Sequence, residues 1–191
     1  MAGLYFEEFQ IGKVFQHALR RTLTEADNLF FSALTHNPAA LHLDEQYCQE
    51  HSEFGTRVIN STFTLGLMVG ISVGDTTLGT TVANLGWDEV RFPRPLFPGD
   101  TLRVETEVLE MRESRSRPQN GIVIFEHRAF NQKDELVARF RAESICPERI
   151  ADFRPRRHLG AFVHLDSLAP DAVADAVHLV AHGTEVRYPL G

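Results

Sequence analysis

The chain has 191 residues, enough for one domain with an extension, and 43% of them are hydrophobic, so a sizeable core can form. A formal charge of −7 leaves no global basic field to attract phosphate, which excludes ordinary nucleic-acid binding. The two cysteines, Cys48 and Cys146, form no CxxC pair, which argues against a structural zinc site and for thiols kept reduced in a cytoplasm.

The N-terminus, MAGLYFEEF, lacks the basic start and long apolar stretch of a secretory signal. The longest apolar segment, around residues 65–73, is broken by glycine and too short to span a bilayer. A soluble cytoplasmic protein with no membrane partner is expected.

Thr24-Glu25-Ala26-Asp27 resembles a capping box, and Leu29, Phe30, Ala33 and Leu34 follow at helical spacing, so a helix is expected over 25–34. Pro38 stops it. The stretch LTHNPAALHLD (34–44) should then turn and present His42 on a short loop, with Asp44 capping a second helix over 45–51. Residues 61–74 form the most apolar helical candidate, capped by Ser61 and apolar nearly all round, hence buried. Gly66 and Gly70 inside it cost roughly 1 kcal/mol each against alanine, which points to another backbone or a ligand approaching closely.

After Asp75 the texture changes. Segments 80–89, 101–112, 121–131 and 136–145 are rich in Val, Ile, Phe and Thr with partial alternation, and read as antiparallel strands. The turn-rich 94–100 stretch leads into the second strand, and 131–134 joins the last two. Long strands around one buried helix make an α+β domain over residues 1–149. Residues 150–191, with a basic knot at Arg154, Arg156 and Arg157 and an amphipathic helix over 171–180, read as a C-terminal extension.

Four segments, YFEEFQIG (5–12), NPAALHLD (37–44), FGTRVIN (54–60) and RFPRPLFPGDTL (91–102), occur in the order found in MaoC-like dehydratases, the (R)-specific enoyl-CoA hydratase branch of the hot-dog fold. The resemblance covers roughly residues 5–147 and implies a long helix wrapped by an antiparallel sheet. It also implies a homodimer with active sites near the subunit interface, an acyl-CoA thioester as substrate, coenzyme A entering only as part of that substrate, and no metal. In that family the chemistry is carried by an aspartate and a histidine five residues later. His42 matches the histidine, and Asn37 stands where the aspartate belongs. Thr35-His36 replaces the usual small residue plus glycine, and Asn60-Ser61 stands where His-Gly is usual.

Adding water across a double bond conjugated to a thioester needs a base for the water, a proton for the α-carbon and donors for the developing enolate oxygen. The resemblance makes His42 the base and proton donor, since histidine titrates at about 6.5. Asn37 cannot remove a proton, but its amide can hold the water or orient the imidazole; a turn bond ahead of Pro38 is the alternative. Asp44 could support the imidazole or simply cap the next helix. The thioester oxygen would meet N–H groups at the start of the 61–74 helix, with Gly55, Asn60, Ser61 and Thr62 around it. Arg57, Arg91 and Arg94 are candidates for a substrate carboxylate or the CoA phosphates. Arg112, Arg115 and Arg117 are further candidates, or else a solvated hairpin tip, and His36 is a second acid or base or a solvated histidine. His127 and Cys48 read as structural.

The function expected on this resemblance is reversible hydration of a 2-enoyl-CoA, with short branched or carboxylated acyl groups of the itaconyl or mesaconyl type as candidates. Two rivals stay open: a hot-dog acyl-CoA thioesterase, and a non-catalytic acyl-CoA binding protein, for which loss of the aspartate would be the first sign.

Overall fold

A computed structural model describes residues 3–149. The extension expected over 150–191, with its arginine knot and helix, lies outside the described residues.

Helix α1 (Glu25–Leu34) starts at the expected capping box: the Asp27 N–H donates to Thr24 Oγ1 at 3.2 Å, and the Thr24 N–H donates to Asp27 Oδ2 at 2.9 Å. Helix α3 (Glu45–His51) is capped by Asp44, whose Oδ1 accepts the Tyr47 N–H at 2.9 Å. Between them His42 is not on a loop. It sits on a one-turn helix, α2 (Ala40–Leu43), and Pro38 marks the end of α1 without preventing a new turn two residues later.

Helix α4 (Ser61–Thr76) is the long central helix, two residues longer than expected and capped by Asn60 rather than Ser61. The Asn60 Oδ1 accepts the Thr62 N–H at 3.0 Å, so the cap falls one residue earlier than the serine suggested. Nor is α4 buried all round. Met68 and Ile71 face the core, but Thr62, Gly66, Gly70 and Gly74 recur four apart on a side exposed in this chain. Among the described residues a Cβ added at any of the three glycines would meet nothing within 4 Å, so none of them makes the close approach the glycines suggested.

Six strands form one antiparallel arrangement: β1 (Val14–Gln16), β2 (Arg21–Thr22), β3 (Ala83–Arg91), β4 (Thr101–Glu113), β5 (Asn120–Phe130) and β6 (Leu136–Pro147). Their order is β1-β4-β5-β6-β3, with β2 also on β4. The first two were not anticipated, because strands of three and two residues are too short to display alternation. The third starts at Ala83 instead of 80, since the Thr80 and Thr81 N–H groups turn back onto the Thr77 carbonyl, at 3.1 and 3.2 Å, to finish the end of α4.

One face of the long strands is apolar. Leu102 and Val104 from β4 and Val137 and Phe140 from β6 pack with Met68 and Ile71 of α4, while Phe9 covers a second cluster of Val108, Val123 and Phe125. The opposite face carries charge pairs, with Arg128 of β5 reaching across to Glu107 of β4 at 2.7 Å and along its own strand to Glu126 at 2.8 Å. A long helix packed on one face of an antiparallel sheet is the hot-dog architecture, an α+β fold. Among the described residues no helix is long and apolar enough to cross a membrane.

Candidate active site

The site is built where α1, α2 and the approach to α4 meet. At the end of α1, His36 takes a left-handed conformation (φ 53°), in the place where the family resemblance expects glycine. Histidine is among the few side chains that tolerate this region, at a strain on the order of 1 kcal/mol. The reversal sends the chain back on itself, with the Asn37 N–H donating to the Ser32 carbonyl at 2.9 Å. The Asn37 Oδ1 then accepts the Ala39 N–H at 3.0 Å, an Asx turn that leads into α2. The turn reading of Asn37 is therefore present, and no hydrogen bond joins Asn37 to His42.

His42 is half-buried, and its Nδ1 lies 2.8 Å from the Val58 carbonyl. A carbonyl oxygen can only accept, so Nδ1 carries the proton and the neutral ring presents its lone pair at Nε2. Among the described residues Nε2 has no hydrogen-bond partner. The Val58 N–H donates back to the Leu41 carbonyl at 3.1 Å, and the buried Cys48 thiol supports α2 by donating to the same carbonyl at 3.5 Å. Asp44 does not back the imidazole; it caps α3.

The loop bearing Val58 is held from two sides. Gly55 has φ +67°, a conformation costly for any other residue, and closes the turn after Ser52. Glu45 accepts the Thr56 hydroxyl at 3.0 Å, the Arg57 N–H at 3.2 Å and the Arg57 Nε–H at 3.2 Å. The Arg57 N–H first, then the Thr56 hydroxyl, hold the Glu45 carboxyl below the ordinary carboxylate range. Arg57 also reaches Glu25 at 2.8 Å. Its guanidinium thus ties α1 to α3 and is not an uncommitted cation. On the other side the Ile59 N–H donates to the Leu96 carbonyl at 2.8 Å, which anchors the loop to the Pro-rich 91–100 segment.

Asn60 is buried at 2% exposure and is spent as a cap: its Oδ1 accepts both the Thr62 N–H and, at 2.6 Å, the Thr62 hydroxyl. Of the residues expected around a thioester oxygen, Asn60 and Thr62 satisfy each other. Ser61 is exposed at the helix start, and its hydroxyl has no acceptor among the described residues. The other expected cations take no part in these bonds. Arg91 donates to the neighbouring Val90 carbonyl at 2.9 Å, and Arg94 pairs at 3.5 Å with Glu135 beyond β5. Arg112, at the far end of β4, pairs with Glu143.

Two features went unseen in the sequence. One is Asn28, an asparagine inside α1 and therefore a poor helix former, whose amide reaches the His42 carbonyl on α2 and the Val58 carbonyl on the loop before α4. The other is a hydrogen-bonded chain under the sheet, in which His17 and His127 both contact the Thr106 hydroxyl at 2.8 Å. His127, read from the sequence as structural, is one link of this buried chain.

The arrangement can accept a proton at Nε2, orient the ring that accepts it, and offer N–H donors at the start of α4. The model of the MaoC-like domain family matches residues 8–128. A mesaconyl-CoA hydratase from Cereibacter sphaeroides is 32% identical over 136 residues, 71% of this chain and 39% of that protein. The chain thus spans about two-fifths of the length of that curated relative. The solved (R)-hydratase PhaJ1 from Pseudomonas aeruginosa has a TM-score of 0.64 at 28% identity, covering 77% of this chain and 88% of its own. A Mycobacterium tuberculosis protein described as a double hot-dog fold has a TM-score of 0.71 at 24% identity, with 89% and 54% covered, a likeness of fold. The chain belongs to the MaoC-like domain family.

Proposed function

We propose that the chain is an acyl-CoA hydratase/dehydratase adding water reversibly to a 2-enoyl-CoA, with a short branched or carboxylated acyl group of the mesaconyl or itaconyl type. The observation that carries this reading is the bond from His42 Nδ1 to the Val58 carbonyl, which leaves Nε2 as a base. The likeness to a mesaconyl-CoA hydratase supports the acyl class.

In the forward direction Nε2 takes a proton from water as the water oxygen attacks the β-carbon. The π electrons move through the α-carbon onto the thioester oxygen, where N–H groups at the start of α4 and the Ser61 hydroxyl stabilise the enolate. As the carbonyl re-forms, the imidazolium returns its proton to the α-carbon. The Asn37 Nδ2 group, without a partner among the described residues, holds the water oxygen. Arg91 and Arg94, on the 91–100 segment, supply positive charge for a distal carboxylate or the CoA phosphates, a role Arg57 gives up to Glu25 and Glu45. No cofactor is needed beyond the CoA carried by the substrate. A second copy of the chain is expected on β3, which pairs only with β6 among the described strands and exposes Leu85 and Trp87.

The test is hydration of crotonyl-, mesaconyl- and itaconyl-CoA, followed as loss of the conjugated absorbance, with free thiol measured in parallel. Hydroxyacyl-CoA without thiol release is the expected result. Thiol release would make the protein a thioesterase. Because an amide stands in for the family's carboxylate at Asn37, a non-catalytic binder is the second reading; calorimetric acyl-CoA binding without turnover would establish it and overturn the first.

A further inference from the structure

Asn28 lies in α1 with 1% of its surface exposed, and its side-chain amide meets backbone groups of two other segments. Its Nδ2 donates to the His42 carbonyl and to the Val58 carbonyl, each at 3.1 Å, and its Oδ1 accepts the Asn60 N–H at 2.8 Å. Two carbonyls and one N–H allow only this orientation of the amide, so both of its hydrogens are committed. The Val58 carbonyl is the group that holds His42 Nδ1, so it accepts from Asn28 and from the imidazole together. The Asn60 peptide opens α4, where the enolate donors are placed.

One buried side chain therefore touches the peptide that carries the base, the carbonyl that selects its tautomer and the residue that starts the donor helix. A purely structural asparagine needs none of these coincidences; any buried hydrogen-bonding pair would do. We propose that Asn28 is a positioning residue, which keeps His42 in its Nδ1–H tautomer and in register with the start of α4. The kinetic side of this inference rests on the hydratase reading, whereas the tautomer side does not.

The test uses the full chain carrying Asn28→Leu, a swap that keeps the branched side-chain shape and removes all three bonds. In folded protein, kcat on the best enoyl-CoA is expected to fall roughly 10- to 100-fold with KM little changed, because the base moves relative to the bound substrate. In ¹⁵N-labelled protein, with His42 picked out of nine histidines by comparison with His42→Gln, the shifts of Nδ1 and Nε2 should move towards each other as the tautomer is released. An unchanged kcat, an effect confined to KM, or unchanged His42 nitrogen shifts overturns the proposal. Should Asn28→Leu fail to fold, the wild-type side-chain amide decides. Its protons must be strongly protected from hydrogen exchange, and exchange at the rate of a free amide overturns the proposal. If the wild type hydrates no enoyl-CoA, the hydratase reading fails while the nitrogen shifts still decide the role of Asn28.

Discussion

His42 and the pair His17–His127 are both fixed by hydrogen bonds, but they end differently. At His42 one ring nitrogen is tied to the Val58 carbonyl and the other is left open. Under the sheet, His17 Nδ1 meets the surface carboxylate of Asp75 at 2.9 Å and its Nε2 meets the Thr106 hydroxyl at 2.8 Å, so neither nitrogen is spare. Thr106 passes the chain on to His127 Nδ1, and the His127 ring stacks on Phe140 with centroids 4.7 Å apart. Burial, with the nearby His17 charge adding to it, pushes the His127 pKa down to about 3. His42 is half-buried and is the proposed proton acceptor, whereas His127 is held as a neutral strut. Burial of the His127 ring, which disfavours its charged form, separates the two.

The largest effect should come from breaking the open end. His42→Ala is expected to lower kcat/KM on the best enoyl-CoA by about 10³-fold, within the usual range for a lost general base, while the melting temperature hardly moves. The closed chain should respond the opposite way. Thr106→Val is nearly isosteric but leaves two buried imidazole nitrogens without a partner, so it should cost about 2–4 kcal/mol in urea unfolding. Turnover per folded molecule should stay near wild type.

Acid sharpens the contrast further. His127 has a folded pKa below its unfolded value of about 6.5, so the unfolded chain binds the extra proton. Its contribution to stability is complete above that value and is lost as pH falls towards 3, at up to about 1.4 kcal/mol per pH unit. Urea titrations at a series of pH values should show this slope, and His127→Gln should flatten it. The smallest effect belongs to Asn37. Asn37→Ala loses the Asx bond to Ala39 and should cost about 0.5–1 kcal/mol, whereas Asn37→Asp keeps an acceptor there and should melt like wild type. A larger loss of activity than of stability in Asn37→Ala would show that the amide also acts on the water.

Much of this was legible in the sequence where the signal is local. The Thr24 capping box, the Asp44 cap and the alternation of the 101–112 and 121–131 segments each depend on neighbours within a few residues, and each element forms where those residues place it. The one-turn α2 escaped because its start is set by the Asx turn of Asn37, and Pro38 gave the stronger signal of an ending. His42 stood out through its motif. Its partner is a backbone carbonyl 16 residues away, which no residue identity announces. Arg57 looked like an available cation for the same reason: the carboxylates that occupy it come from α1 and α3 and converge only in the fold.

Everything proposed for the site depends on His42 being held as a neutral Nδ1–H tautomer with a bare Nε2. Long-range ¹H–¹⁵N correlation spectra of the labelled wild-type chain, recorded at alkaline pH, test it without any substrate. A proton on Nδ1 and the low-field shift of an unprotonated nitrogen at Nε2 are expected. A proton resident on Nε2, or two nitrogens averaged to similar shifts, would contradict it.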